Sequence, residues 1–181
     1  QRQKEKSEKS FVTYEWEVPA DRLYKEDSNV VVDDVKNHAL MPFVQLRTAS
    51  SPERKFEAYL EANTAYIDWW YKNGDSGKQH YAVSYVDGTG AKTLFYVDFI
   101  IRMKNGQIFL FDTKSVGSDA DAPAKHNALI DYMASEENKD KHLKGGVIIA
   151  DGSNWKYSPL KIENTTDTIN WDCFYPSDYK E

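Results

Sequence analysis

A single cysteine, Cys173, stands among 181 residues, so no disulfide can close within the chain. The fold must then be held by its core, and a cytoplasmic setting is the expectation. No apolar run approaches the roughly 20 residues that cross a bilayer, and no secretion signal is visible, so a membrane partner is not expected. The four histidines, His38, His80, His126 and His142, show neither His-x-x-x-His nor Cys-His spacing. That argues against a zinc site. Gly88-Thr-Gly90 is too short for a phosphate loop and reads as a turn. Positive charge is also in short supply: 23 Lys and Arg stand against 29 Asp and Glu, giving a net charge of −6. Phosphate contacts dominate nucleic-acid affinity, which weighs against a strong free-standing binder of nucleic acid. Acids gathered around a cation, however, count as negative only until it binds.

What is present is a packed domain, 40% apolar and 14% aromatic. Residues 1–10 are polar and charged and read as a linker from an upstream domain, so the chain, opening on Gln1, is read as a piece of a longer protein. Residues 11–181 are read as one domain. Alternation over 11–18 predicts a strand, and the β-branched run at 29–35 a second or an edge; 36–50 shows no period. Ser51-Pro52 predicts a helix start, with Ser51 as cap and Phe56, Tyr59 and Leu60 on the inner face to Asn63. Strands are predicted over 65–71, 79–86, 93–103, 107–113 and 147–150, and a second helix from Pro123 to about Ser135. The runs 93–103 and 107–113 are apolar on consecutive residues, so both are expected to be covered on two faces. The fold class expected is α/β (α+β), a mixed central sheet flanked by helices.

Into those two apolar runs the chain places charge: Asp98 in the first, Asp112 at the end of the second, and Lys114 two residues on. A carboxylate buried without a partner is costly, so a cation is expected nearby. Mg²⁺ takes one or two carboxylates and keeps several waters, which suits Asp98 and Asp112. Lys114 shares a strand face with Asp112 and is suited to stabilise charge on a phosphate or orient an attacking water. Glu53, at the start of the first helix, is an upstream acid that reaches the metal through water or positions the nucleophile. These are the parts of a metal-dependent phosphodiester cleavage site.

The idea carries a test in the strand register. A two-residue Asn105-Gly106 turn sets Asp98 opposite Thr113, on the wrong face. A three-residue loop over 104–106 sets Asp98 opposite Asp112.

At these positions the chain resembles the PD-(D/E)xK nuclease superfamily. Val97-Asp98 stands where that family has Pro-Asp, and Asp112-Thr113-Lys114 where it has (Asp/Glu)-x-Lys. The segments SPERKFEAYLE (51–61), IDWWYKN (67–73), FYVDFII (95–101), DTKS (112–115) and KHNAL (125–129) look like the C-terminal endonuclease domain of type III restriction enzyme Res subunits and related DEAD/DEAH helicase-nucleases. The likeness covers roughly residues 11 to 155. It implies a restriction-endonuclease-like core, Mg²⁺ (or Mn²⁺ in its place), and catalytic roles for Glu53, Asp98, Asp112 and Lys114. It also implies that the Thr113 carbonyl joins Asp98 and Asp112 at the metal. Glu57, one turn after Glu53, is an alternative helical acid. The partners implied are DNA, a modification (methyltransferase) subunit, and an upstream helicase domain that alone uses ATP. Val97 in place of Pro and Asp112 in place of the commoner Glu are departures, the second shortening the reach to a metal.

Lys125 and His126 are secondary candidates, as phosphate contacts or as solvated helix residues. Trp69 and Trp70 either stack bases or divide into one packed and one exposed ring. The competing function is a non-catalytic module of the same fold that docks DNA or a partner.

Overall fold

In the computed structural model, which describes Glu17 and residues 30–33, 43–46, 50–75 and 80–180, the first helix is fixed by a capping box. Helix α1 spans Ser51–Ala62. The cap is Ser50, one residue before the expected Ser51. Its Oγ accepts the Glu53 N–H at 3.4 Å while Glu53 Oε2 accepts the Ser50 N–H at 2.7 Å. Glu at the third helical position makes Ser50 the better cap, because only that spacing closes both bonds. Asn63 ends the helix as expected. The strand expected over 11–18 and the linker over 1–10 lie outside the described residues, apart from Glu17.

Among the described residues ten strands follow in chain order. β1 (Val30–Asp33) pairs with β2 (Phe43–Leu46) as a small antiparallel sheet. The first matches the β-branched run; the second falls in the stretch where no period was legible. The central sheet has the order β10-β9-β8-β7-β6-β3, formed by β3 (Ile67–Lys72), β6 (Phe99–Met103), β7 (Ile108–Lys114), β8 (Leu143–Asp151), β9 (Asn154–Tyr157) and β10 (Asp172–Cys173). Among the described strands of this sheet only β7 and β8 run parallel, joined through α2 (Ala122–Ala134); the other pairings are antiparallel. The result is a mixed, mostly antiparallel sheet flanked by helices. β4 (Ala82–Val86) and β5 (Lys92–Tyr96) form a separate two-stranded sheet.

One expectation fails here with consequences for the site. The run 93–103 is not one strand. It breaks at Val97-Asp98, so β5 pairs with β4 while β6 joins the central sheet. Asn73 holds the break open. Its Nδ2 donates to the carbonyls of Val97 (2.9 Å) and Tyr81 (2.7 Å), its Oδ1 accepts the Tyr81 N–H, and its own N–H donates to the Asp98 carbonyl. Backbone groups that a continuous strand would give to a neighbour are taken by this one amide.

The sheet is covered on both faces, as consecutive apolarity predicts. Phe56 and Leu60 of α1 pack on Phe99, Ile101, Phe109 and Phe111. Leu129 and Met133 of α2 pack on the other face, with Ile100 and Leu110. Trp70 is fully buried on the α1 side, and Trp69, rather than being exposed, is half-buried against the cluster on the α2 side.

At Gly145-Gly146, β8 passes tightly over its neighbours. Their φ angles are +142° and +140°, and an added Cβ would lie 1.9 Å from the Leu110 carbonyl oxygen or 2.5 Å from the His126 ring. Either alanine substitution is therefore strained and sterically blocked. Gly145→Ala and Gly146→Ala are each expected to cost about 3 kcal/mol and lower the melting temperature by roughly 10 °C. An unchanged thermal midpoint in circular dichroism would show that β8 shifts freely instead.

Candidate active site

The hairpin between β6 and β7 decides whether the two acids meet. The Met103 N–H donates to the Gln107 carbonyl and the Gly106 N–H to the Met103 carbonyl, both at 2.9 Å, and Gly106 has φ +87°. This is the three-residue loop with glycine in the left-handed region. Phe99 faces Phe111, Ile100 faces Leu110 and Ile101 faces Phe109. The same count sets Asp98 opposite Asp112. Since Met103 and Gln107 are hydrogen-bonded, Asp98 and Asp112 fall on a non-hydrogen-bonded pair, where facing side chains come closest. Both share the face of Ile100 and Leu110, as does Lys114.

Asp98 lies at the break between β5 and β6 rather than inside a strand. Its Oδ2 accepts two bonds from Thr113, from N–H at 2.8 Å and Oγ1 at 2.6 Å. In a regular ladder that N–H would reach Val97, whose carbonyl Asn73 has already taken. A strand residue's N–H and C=O point the same way, so the Thr113 carbonyl also faces the gap beside Asp98.

Asp112 is 4% exposed. Burial, and then the charge of Asp98, push its carboxyl up to about 6 against the pull of Lys114. Lys114 Nζ lies 2.9 Å from Asp112 Oδ2. The two form a close ion pair, and that buried oxygen accepts no other bond. Burial pulls the Lys114 ammonium down, yet Asp112 and Asp98 together hold it above its ordinary value. Lys114 also stands 4.0 Å from Asp119, which binds Lys125 Nζ at 2.8 Å.

Glu53 approaches from elsewhere. One of its oxygens is spent on the helix cap and the other accepts from Lys72 Nζ at 2.7 Å. Burial pushes the Glu53 carboxyl up, but the charge and hydrogen bond of Lys72, then Ser50, hold it below the usual range. Lys72 Nζ is also 3.5 Å from Asp98 Oδ1. Glu53 thus reaches the paired acids through Lys72. Glu57 is buried on the inner side of α1.

An open cleft of about 300 Å³ lies over the acids, lined by Asp98, Asp112, Lys114, Lys125, Tyr85 and Tyr96 among others. A second, of about 200 Å³, lies on the far side of Lys114 beside Ser51 and Lys55. His126 belongs to neither. It is buried, its Nδ1 accepts the Val147 N–H at 3.0 Å, and its Nε2 meets the Leu160 carbonyl at 2.8 Å. That pairing requires the neutral ring with the proton on Nε2. Burial, only partly opposed by the Leu160 carbonyl, pulls its pKa down. Both readings of His126, phosphate contact and solvated helix residue, are corrected: with both ring nitrogens engaged inside the protein it is a structural pin between α2, β8 and the 158–160 turn.

Among the described residues no group of three His, Cys, Asp or Glu side chains converges on one point. The site is a two-carboxylate one. The buried Asp112 carboxylate, whose Oδ2 is ion-paired with Lys114, offers with Asp98 Oδ1 and the Thr113 carbonyl an all-oxygen set of the kind that a hard cation keeping several waters takes. Sequence reasoning missed Lys72, Asn73 and Asp119. Lys72 and Asn73 close a strand in a position that reads as an ordinary polar end, and Asp119 lies in a polar loop. Comparison with family models, curated proteins and solved structures finds no match for the chain.

Proposed function

We propose that this chain is a divalent-metal-dependent endonuclease domain with a restriction-endonuclease-like core, hydrolysing DNA phosphodiesters within a larger type III restriction-like helicase-nuclease. The observation that carries the reading is the register: a three-residue loop that aligns Asp98 with Asp112 and sets Lys114 beside them at the mouth of a cleft. Neither an accidental strand end nor a solvated acid requires a carboxylate to be buried at that point.

Asp98, Asp112 and the Thr113 carbonyl would hold the ion. When bound, Mg²⁺ or Mn²⁺ supplies positive charge at a phosphate oxygen and makes a water acidic enough to attack. The chain's own residues do the rest. Thr113 fixes the Asp98 carboxylate through two bonds to one oxygen, leaving Oδ1 with only the looser contact to Lys72 at 3.5 Å. Lys114 keeps its proton at neutral pH, so it acts as a cation beside the phosphate rather than as a base. Tyr85, Tyr96 and Lys125 form the cleft wall along which a strand would lie.

The acidic net charge means that grip on DNA comes from elsewhere, in keeping with a translocase domain and a modification subunit as partners. The same charge favours the second reading, a docking module that does not cut. Cleavage of plasmid DNA by the full-length protein, with partner and ATP, separates them. Cutting in Mg²⁺ that EDTA stops is the expected result. Absence of cutting, with no Mg²⁺ or Mn²⁺ binding in calorimetry, selects the docking module.

A further inference from the structure

We infer that Glu53 is a positioning residue which holds Lys72 back from Asp98, keeping Asp98 Oδ1 open to the metal; this rests on the two-carboxylate reading above. Lys72 is lodged between two acids, with its side chain 12% exposed. Its ammonium is 2.7 Å from Glu53 Oε1 and 3.5 Å from Asp98 Oδ1, a hydrogen bond on one side and a looser ion contact on the other. It also lies 4.6 Å over the Phe99 ring, which limits it to a swing between the two carboxylates.

Glu53 cannot follow such a swing. Its other oxygen accepts the Ser50 N–H at the start of α1, so the helix cap anchors it. Asp98 is likewise fixed, by Thr113. Lys72 therefore lies between two anchored charges, and a shift of less than an ångström would trade one partner for the other. Both carboxylates are no more than 20% exposed, so solvent screens the choice poorly. With Glu53 neutral, Asp98 becomes the nearest full negative charge and Lys72 closes on Oδ1. An ammonium there competes with a metal ion for the same oxygen.

The sign of a double substitution separates this from Glu53 as a ligand, direct or through water. Glu53→Gln keeps an acceptor for the cap and is expected to weaken Mn²⁺ binding by about tenfold, the scale of outer-shell effects on metal sites. Cleavage by that variant should recover at saturating metal. Removing Lys72 as well, in Glu53→Gln/Lys72→Met, removes the competitor and should restore affinity to within about threefold of wild type. A Glu53 that ligates or orients a metal water predicts no such rescue.

The experiment is calorimetric titration of Mn²⁺ into the full-length protein and its variants without DNA, beside cleavage rates against metal concentration. Circular dichroism checks folding, and Glu53→Gln/Lys72→Gln serves the same arm if the methionine variant does not fold. A double variant as weak as Glu53→Gln overturns the inference, as does a Glu53→Gln protein that binds like wild type. No binding by wild type is a different failure, which removes the two-carboxylate reading itself.

Discussion

Lys114→Ala is expected to abolish DNA cleavage by the full-length protein while leaving the fold nearly intact. The side chain stands at the end of β7, where its ammonium is 2.9 Å from Asp112 and faces the cleft. Losing one preorganised donor at a developing negative charge costs about 10²–10³ in rate. Here the loss is compounded, because Lys114 is also the cation that offsets the buried Asp112 carboxylate. Without it Asp112 holds a proton more tightly and is a poorer metal ligand. The backbone pairing of β7 with β8 does not involve the side chain, so the fold should persist, with a melting temperature lowered at neutral pH because the buried Asp112 loses its cation. Lys114→Arg keeps the charge but brings a broader planar group into the same wall, and partial activity is expected. Asp112→Ala should be as inactive as Lys114→Ala. Initial rates on plasmid DNA at saturating Mg²⁺ measure both, and full cleavage by either variant would sink the nuclease reading.

Much of the fold around this lysine was legible because the chain writes it in local signals. Consecutive apolar residues announced strands buried on both faces over 99–103 and 107–113, but not over 93–96, which lie in the largely exposed β5, and Pro52 with the Phe56, Leu60 spacing announced α1. Asn105-Gly106 announced the hairpin, and the requirement that two acids share a face selected the three-residue loop over the two-residue one. The break at Val97-Asp98 was not legible. Asp98 marks the place, but a charge alone does not end a strand; the break is held by the Asn73 side chain, 24 residues away, which captures the Val97 carbonyl. β9 and β10 were also missed, being short strands in a mixed, aromatic stretch.

The site divides the same way. Asp98, Asp112 and Lys114 were readable because charge within apolar strands is costly and so informative. Lys72 and Asp119 were not, since each lies where a charged residue is expected on a surface. Glu53 was placed in the right helix but with a different first duty: both of its oxygens are engaged, by Ser50 and by Lys72. His126 shows the opposite error. Its neighbour Lys125 lines the cleft, yet one step along the helix turns His126 into the protein, against Val147 and Leu160.

Asp112→Asn is expected to eliminate metal binding and, in the metal-free protein, to raise stability at neutral pH. Burial, and the charge of Asp98, keep the Asp112 carboxyl up at about 6, against 3.8 for the ordinary group. Between those values the folded chain holds a proton that the unfolded chain releases, so stability falls as pH rises from about 4 to about 6. A shift of this size corresponds to at most about 3 kcal/mol. Asparagine carries no charge to bury, but it takes from Lys114 its nearest acid and leaves Asp98 and Asp119, so the net gain at pH 8 should be on the order of 1–2 kcal/mol, roughly 3–6 °C in melting temperature. Below pH 4 the wild-type group is protonated in both states and the advantage disappears. Mg²⁺ should reverse the order at pH 8, raising the midpoint of wild type by binding only the folded state and leaving the asparagine variant unmoved. Thermal scans from pH 4 to pH 8, with Mg²⁺ and with EDTA, test each limb. A variant less stable than wild type at pH 8 in EDTA, or one that Mg²⁺ stabilises equally, would mean that Asp112 is not a carboxylate kept charged at the expense of the fold in order to hold a cation.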